Sequence, residues 1–303
     1  MYKRLVEFLA VFVFLWAGTV HAQSRVQWVG PFPGEIQESS GLLVWDDLLV
    51  THNDSGNSPD LFLLDSASLA GRRQVRLSNA SNTDWEDLAQ DDEYIYIGDI
   101  GNNSGNRRDL KILRVRKSEM ASSETVQAGI ISFQYEDQTS YAITQNSDWD
   151  AEALYAGTDS LWVFTKQWKS KGSVVYAIPK TPGEHQAVRK GTLDVRGLIT
   201  GASGIPDQNG ILLLGYSGQL QPFLVVTHLP HSLDSFQKKT EKEQVSIAFA
   251  QAEGIAVALN GIVYVSSEVF SSNLISTPAG VYRVWYDGDL KAARPDPKPR
   301  NIP

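Results

Sequence analysis

The stretch Asp84-Trp85-Glu86-Asp87-Leu88-Ala89 is followed, after a short polar gap, by the apolar run Tyr94-Ile95-Tyr96-Ile97. The same succession returns along the chain: a short phrase with an acidic or hydroxyl residue precedes a β-rich run, and a third apolar run follows. The other phrases are Ser39-Ser40-Gly41-Leu42, Ala151-Glu152-Ala153-Leu154, Ala202-Ser203-Gly204-Ile205 and Ala252-Glu253-Gly254-Ile255. Because a unit of this size cannot bury its apolar faces alone, its recurrence predicts a repeat architecture.

The spacing of these phrases indicates the kind of repeat. Their key residues are Ser40, Glu86, Glu152, Ser203 and Glu253, at intervals of 46, 66, 51 and 50 residues. Units of this length with four short strands are typical of β-propeller blades. We therefore expect an all-β chain that forms a single propeller, most simply with five blades of four strands each.

Two features of the repeat pattern bear on how the ring is completed. The interval of 66 residues needs an extra hairpin near Ile130 to Thr144, and a sixth, degenerate blade is the alternative. A β-sandwich without a true repeat is a further alternative, which the matching phrases disfavour. The last unit lacks a fourth strand, whereas the segment Arg25 to Val29 is a spare one. Pairing of this segment with the last blade closes the ring and leaves no free sheet edge.

The N-terminus has the features of a signal peptide. Lys3 and Arg4 form the positive start, Phe8 to Trp16 the apolar run, and Val20-His21-Ala22 a small-residue cleavage site. The apolar run is too short for a good membrane span, although an uncleaved anchor is the alternative. The expected organisation is a signal peptide at 1–22, a propeller domain at 23–291 and a disordered, proline-rich tail at 292–303.

Charge and cysteine content exclude several classes of protein. The chain has 27 Lys and Arg against 35 Asp and Glu, a net charge of −8, which argues against nucleic acid as a partner. The absence of cysteine excludes disulfides, thiolate zinc sites, a cysteine nucleophile and a lipid anchor on cysteine. We expect a monomer in the periplasm or outside a bacterial cell, with no membrane attachment after removal of the signal peptide.

The repeated glutamates are candidate metal ligands. The innermost strand of each blade lines the central channel, so Glu86, Glu152 and Glu253 should converge near one axis. Carboxylates brought together repel one another unless water, a cation or protonation offsets the charge. Three carboxylates with nearby hydroxyl and carbonyl oxygens suit a hard cation such as Ca²⁺. The alternative is that these glutamates cap strand ends or bond to amides of neighbouring blades.

Polar residues at the ends of the second strands form a candidate ligand-binding face. If the blades align, all these ends open on the same side of the ring. The candidate ligand-binding residues there are Asn53, Asp99, Asn102, Lys166, Tyr216 and Glu268.

The alternating residues Asp148, Asp150 and Glu152 share one face of a strand, which predicts a row of acidic side chains. Such a row is tolerable at a solvated rim or on a metal.

Signals for a catalytic nucleophile are poor. The sequence contains neither a Gly-x-Ser-x-Gly elbow nor a His-Glu-x-x-His zinc motif. His52 with Asp54 is the candidate acid/base pair beside a metal, and a loop histidine bonded to the backbone is the alternative. Trp168, flanked by polar residues, is a candidate ligand platform.

Several phrases resemble a family of uncharacterised secreted bacterial β-propellers. They are Asp84-Trp85-Glu86-Asp87-Leu88-Ala89, Gly98-Asp99-Ile100-Gly101-Asn102-Asn103, Asp150-Ala151-Glu152-Ala153-Leu154 and Glu253-Gly254-Ile255-Ala256. More distantly, the chain is similar to phytase-like, gluconolactonase-like and paraoxonase-like calcium propellers. That resemblance implies Ca²⁺ held on the axis by Glu86, Glu152 and Glu253, with Asn53, Asp54 and Asp99. The chain lacks the basic phosphate pocket expected of a phytase.

Two classes of function follow from these observations. The first is an exported propeller whose polar, acidic axial face binds a small-molecule or protein ligand, with Ca²⁺ as the expected cofactor. The second is a Ca²⁺-dependent hydrolase of an ester, lactone or phosphoester. Because propellers serve both purposes, the fold does not choose between them. The lack of a compelling nucleophile favours the binding function.

Overall fold

The computed structural model describes residues 25–206, 210–228, 242–247, 251–271 and 276–286. The predicted signal peptide at 1–22 and the predicted tail at 292–303 lie outside these ranges. Most described residues belong to β-strands, and the described ranges contain one short helix. The predicted all-β fold is therefore confirmed.

Twenty of the 23 described strands fall into five groups of four antiparallel neighbours, which we call blades one to five in chain order. Strand β1 (Arg25–Pro31) comes first in the chain and is treated with blade five. Blade one consists of β2 (Ser39–Trp45), β3 (Leu48–Asn53), β4 (Asp60–Asp65) and β5 (Gly71–Leu77). Blade two consists of β6 (Trp85–Gln90), β7 (Tyr94–Asp99), β8 (Lys111–Arg116) and β10 (Gly129–Tyr135). Helix α1 (Lys117–Ser122) and strand β9 (Thr125–Val126) lie between β8 and β10 in the chain, and β9 pairs in parallel with β5 at the edge of blade one.

The remaining blades repeat this order. Blade three consists of β11 (Ala151–Ala156), β12 (Ser160–Thr165), β13 (Ser173–Pro179) and β14 (Gly183–Leu193). Blade four consists of β15 (Leu198–Ile205), β16 (Gly210–Tyr216), β17 (Pro222–His228) and β18 (Lys242–Gln244). Blade five consists of β19 (Ala252–Val257), β20 (Val263–Ser267), β23 (Gly280–Trp285) and β1, while β21 (Phe270–Ser271) and β22 (Ser276–Thr277) form a small hairpin.

The N-terminal strand completes the last blade, as predicted. Strand β1 pairs antiparallel with β23 along its length, from Arg25 opposite Trp285 to Pro31 opposite Gly280. The ring of Trp28 packs edge-on against Tyr282 at 4.7 Å between centroids. Each first strand lies against the first strand of the next blade, and β19 of blade five lies against β2 of blade one. The count of blades for the whole chain stays a prediction, because several ranges are not described.

The segment around residues 130–144 differs from the expectation. No hairpin forms there: the single strand β10 pairs with β8 and is the outer strand of blade two, and residues 136–150 contain no strand. Strand β10 also pairs in parallel with β14 of blade three. The long interval in the sequence is therefore a delayed fourth strand followed by a loop, and the predicted extra hairpin is wrong.

The core lies between blades. Each of five apolar clusters joins residues of two neighbouring blades, including one cluster between blades five and one. Successive side chains of a strand point to opposite faces. In β7, Ile95 and Ile97 accordingly pack towards blade one, whereas Tyr96 packs towards blade three. Burial on both faces explains why the second strands read as continuous apolar runs.

Candidate metal and ligand site at one mouth of the ring

A β-bulge recurs near the start of every inner strand. The pairing with the second strand shifts by one residue in each blade, and the bulged strand gains one unpaired residue. The residues at this position are Ser40, Glu86, Glu152, Thr200 and Glu253. In blade four the equivalent residue is thus Thr200 and not Ser203, whose side chain instead accepts a hydrogen bond from the Val257 N–H at 3.0 Å.

The residue that follows each bulge faces the neighbouring inner strands. In four blades it is small, namely Gly41, Ala153, Gly201 and Gly254. A Cβ atom on Gly201 would lie 2.6 Å from the Glu253 carbonyl oxygen, so a side chain has no room there. Blade two departs from this rule because Asp87 occupies the position. Asp87 is therefore the one polar side chain at this position of the described inner strands.

Asp87 connects three blades through its carboxylate. One oxygen accepts the N–H of Leu88 at 2.8 Å, and the other accepts the N–H groups of Leu154 at 2.8 Å and Ala202 at 3.0 Å. The side chain is fully buried. Burial raises the pKa of Asp87 above its usual range, and the three backbone hydrogen bonds oppose that rise. Asp87 is therefore a structural clamp on the axis, which the sequence analysis missed.

Carboxylates gather next to this clamp, around the bulged glutamates. Glu86 offers an oxygen within 4.8 Å of oxygens from Asp54 and Asp84, and likewise from Asp150 and Glu152. We call these two overlapping groups the acidic mouth. Of the predicted metal ligands, the structure brings Glu86 and Glu152 together. Glu253 is buried nearby but belongs to neither group within the described part of the chain.

The pKa values in the acidic mouth reflect burial and mutual repulsion. Burial raises the pKa of Glu86 well above its usual range, and the charge of Glu152 raises it further. Burial, followed by the charge of Asp54, raises the pKa of Asp84 to about 7. Burial, followed by the charge of Glu268, raises the pKa of Glu253 to about 8, and burial, followed by the charge of Asp54, raises the pKa of Glu268 to about 8. At neutral pH the carboxyl groups of Glu253 and Glu268 therefore retain protons, and that of Asp84 is about half protonated, unless a cation compensates their charge.

One cation of the chain itself sits in this cluster. The ammonium of Lys166 forms an ion pair with Glu152, and both side chains are buried. The same ammonium lies 4.6 Å from the ring centre of Trp168 and 5.3 Å from that of Tyr216. Although burial lowers it, the nearby carboxylates hold the pKa of Lys166 above its usual value. Lys166 therefore neutralises part of the charge on the Glu152 side of the mouth.

Trp168 and Tyr216 form the partly exposed rim beside Lys166. The indole N–H of Trp168 donates to a carboxylate oxygen of Asp150 at 2.8 Å, which fixes the ring against the acidic mouth. Burial raises the pKa of the Tyr216 hydroxyl to about 12, so it stays protonated at neutral pH. The rim therefore offers an aromatic surface and a hydroxyl to a ligand.

Three of the predicted ligand-binding residues have internal partners. The Asn53 side chain accepts the N–H groups of Gln37 and Glu38 and donates to the Glu35 carbonyl. Asp99 forms ion pairs with Arg107 at 2.8 Å and Lys111 at 2.9 Å. The Asn102 side chain accepts the Arg107 N–H at 3.0 Å. These contacts organise the loops beneath the mouth.

The two candidate catalytic residues occupy different surroundings. His52 is fully buried, its ring meets Trp85 edge-on at 5.5 Å, and its Nδ1 lies 2.9 Å from the Asn53 carbonyl oxygen. Burial lowers the pKa of His52 to about 4, so the ring is neutral at pH 7. Asp54 is half-buried at the acidic mouth, and burial raises its pKa. A catalytic role for His52 and Asp54 stays a prediction.

Comparisons with known proteins are limited to the fold. Neither family models nor curated protein sequences match this chain. Solved structures match it at low sequence identity. A gluconolactonase from Xanthomonas campestris is matched over 86% of this chain and 89% of its own, with a TM-score of 0.46 at 11% identity.

Two other solved structures give overlaps of the same order. A protein described as a putative oxidoreductase (glucose dehydrogenase) from Thermus thermophilus has 10% identity and a TM-score of 0.49, with 86% and 100% of the two chains covered. A streptogramin B lyase has 8% identity and a TM-score of 0.42, with 86% and 97% covered. Overlaps at this level do not identify an activity. Among the described residues, no helix has the length and apolar character needed to cross a membrane.

Proposed function

We propose that the protein binds Ca²⁺ at the acidic mouth and uses this cation, together with the aromatic rim, to hold an oxygen-rich ligand. The observation that carries the proposal is the sharing of Glu86 by two groups of three carboxylates. Glu86 would ligate the cation, with Asp54 and Asp84 on one side or Asp150 and Glu152 on the other. A hard cation with carboxylate preference fits this donor set.

The electrostatics of the mouth support the proposal. Buried carboxylates that raise one another's pKa values destabilise the charged native state, and a divalent cation removes that repulsion. Lys166 already compensates Glu152, so the uncompensated charge lies around Glu86 and Asp84. We therefore place the cation nearer to Glu86 than to Glu253.

The rim supports the binding of a ligand beside the cation. Trp168 is partly exposed and held by Asp150, and Tyr216 is also partly exposed. Aromatic faces with a few fixed polar groups are the usual composition of small-molecule sites. A ligand with several oxygens could complete the coordination of the cation while its apolar face packs on Trp168.

The binding proposal is tested by titration of the purified protein with Ca²⁺. A ligand that binds only the native state stabilises it by about 2.7 kcal/mol at a hundredfold excess over Kd. For a chain of this size that corresponds to a rise in melting temperature of roughly 5 to 10 °C. Glu86→Gln should abolish the rise and also increase the metal-free stability, whereas the control Glu184→Gln, at an exposed strand position, should leave the rise unchanged.

Two outcomes contradict the proposal. The first is a melting curve that ignores both Ca²⁺ and a chelator in the wild-type protein. The second is a calcium response that survives in Glu86→Gln at full strength. Glu253→Gln separates the two placements of the cation, because it should keep the response if Glu86 and its two groups hold the metal.

A second candidate function is a Ca²⁺-dependent hydrolase of an ester, lactone or phosphoester. The pKa of Asp84, raised to about 7, favours it, since a general base works best near the ambient pH. Beside a bound cation, the Asp84 carboxylate could take a proton from an attacking water. A screen of ester, lactone and phosphoester substrates with added Ca²⁺ tests this candidate. Activity that falls at least a hundredfold in Asp84→Asn supports it, and absence of turnover in the wild-type protein removes it.

A further inference from the structure

A second cavity opens at the opposite end of the ring from the acidic mouth. Its volume is about 590 Å³, and the ends of all the inner strands line it. Leu154 and Ala202 belong to this lining, and their N–H groups bind the Asp87 carboxylate, which follows Glu86 in the chain. Asp87 therefore lies between the cavity and the acidic mouth. Cavities of a few hundred cubic ångströms are of the size that holds small organic molecules.

Aromatic and apolar side chains form the walls of this cavity. Trp45 and Tyr155 line the cavity and are partly exposed, and each also packs against an apolar cluster between two blades. The ring of Tyr155 lies directly against Gly204, where an added Cβ would be 2.9 Å from a ring carbon. Alanines and aliphatic residues make up most of the remaining wall, and Leu259 at the rim is 82% exposed. The wall therefore offers apolar surface and two aromatic rings to a ligand, beside the polar groups of the same lining.

The charged groups at the rim indicate the sign of the ligand. Asp46, Asp91 and Asp92 line the cavity against the single ammonium of Lys117. Asp91 is already compensated by Lys180 at 2.7 Å, a residue outside the lining. Asp46 and Asp92 are exposed, and their charges, like that of Asp91, act on Lys117 without a close ion pair to another described residue. Acidic groups thus outnumber Lys117, and the rim attracts a cation.

We propose that this cavity binds a small organic cation with an apolar body, such as an aromatic quaternary ammonium compound. The ammonium of the ligand packs over the faces of Trp45 and Tyr155, which attract cations through their ring electrons. The carboxylates of Asp46 and Asp92 compensate its charge at the rim. The apolar body displaces water from the alanine-lined wall.

The probe that tests this assignment is benzyltrimethylammonium chloride, measured by isothermal titration calorimetry on the full-length protein. We expect saturable binding that weakens about tenfold in Trp45→Leu. Gly204→Val should displace the Tyr155 ring and weaken binding as well. Benzoate, with the same ring and the opposite charge, should bind at least tenfold more weakly than the cation. Far-ultraviolet circular dichroism and the melting temperature verify that each variant folds.

Glu86→Gln and Trp168→Leu are the matched controls, because the acidic mouth also carries carboxylates and aromatic rings. Both should leave the affinity for benzyltrimethylammonium unchanged. A loss of binding in these two variants assigns the ligand to the acidic mouth and overturns the inference. Absence of binding in the folded wild-type protein, or equal binding of benzoate, also overturns it. None of these outcomes depends on whether the acidic mouth binds Ca²⁺.

Discussion

Removal of the Asp87 carboxylate should destabilise the ring more than removal of any surface carboxylate. In Asp87→Ala, the N–H groups of Leu154 and Ala202 lose their acceptor while the backbone around them stays in place. A buried donor left without a partner costs about 1–3 kcal/mol. The two donors on the other blades therefore predict a loss of about 2–6 kcal/mol in the free energy of unfolding, and the N–H of Leu88, which also loses its acceptor, adds to this loss. The corresponding fall in melting temperature is roughly 5 to 20 °C.

Asp87→Asn separates the hydrogen bonds from the charge. If the amide oxygen takes the place of the oxygen that binds Leu154 and Ala202, both bonds between blades survive. The amide NH₂ group then faces the N–H of Leu88, which is a repulsive contact between two donors. The expected order of stability is wild type, then Asp87→Asn, then Asp87→Ala.

The assay is equilibrium unfolding in urea combined with differential scanning calorimetry. Asp109→Ala is the matched control, since Asp109 is an exposed carboxylate paired with Arg107. Exposed ion pairs contribute about 0–1 kcal/mol, so this control should change stability little. Equal stabilities of Asp87→Ala and Asp109→Ala would refute the assignment of Asp87 as an inter-blade clamp.

Three further predictions concern other parts of the ring. Deletion of residues 23–31 removes β1 and exposes the edge of β23. The melting temperature should therefore fall sharply and aggregation should increase. A stable, soluble product would contradict the completion of blade five by β1. Gly201→Ala should cost about 1–3 kcal/mol in urea unfolding, because its Cβ meets the Glu253 carbonyl, whereas Gly34→Ala, with open space around it, should cost little. In the metal-free protein, the melting temperature should fall as the pH rises from about 5 to 8. The reason is that the pKa of Glu268 is about 8 in the folded state against an ordinary value of 4.5, so in this range the folded state binds a proton that the unfolded state has lost. Glu268→Gln should flatten that fall, and a pH-independent melting curve in both proteins contradicts the burial of charge.

The sign of the pH prediction follows from where the protons are bound. A carboxyl group whose folded-state pKa is raised contributes stability that is complete below its unfolded pKa. That contribution is lost as the pH rises through the folded-state pKa, because the charged form is the one that burial disfavours. Saturating Ca²⁺ should oppose the loss at the alkaline end if the acidic mouth binds it.

Much of the fold could be predicted because its signals are local. The continuous apolar run of β7, from Tyr94 to Ile97, is visible in four residues, and the repeated phrases set the spacing of the blades. The spare strand at Arg25 to Val29 could be matched to an incomplete last unit by counting. The extra hairpin was predicted wrongly because a delayed outer strand and a new hairpin leave the same interval in the sequence.

The candidate site could be predicted only in part. The phrases identified Glu86, Glu152 and Glu253 as residues of the inner strands, and a bulge places all of them near the axis. The sequence also favoured Ser203 in blade four, because its phrase matches by residue type. The register of β15 with β16 shows that Thr200 is the bulged residue, and hydrogen-bond register is not visible in residue type.

What the sequence by itself determined is the all-β repeat, the acidic inner phrases and the strand that completes the last blade. Each follows from residue order and period, which act over a few residues. Only the tertiary structure decided that the Asp87 carboxylate accepts hydrogen bonds from Leu154 and Ala202. It also decided that Lys166 pairs with Glu152, and that Glu86 lies beside carboxylates of blades one and three. The physical reason is that Asp87 and Glu86 meet groups of other blades, while Lys166 meets Glu152 where two neighbouring strands of blade three pair. Their distances are set by how closely the inner strands pack around the axis, and that packing depends on the whole ring.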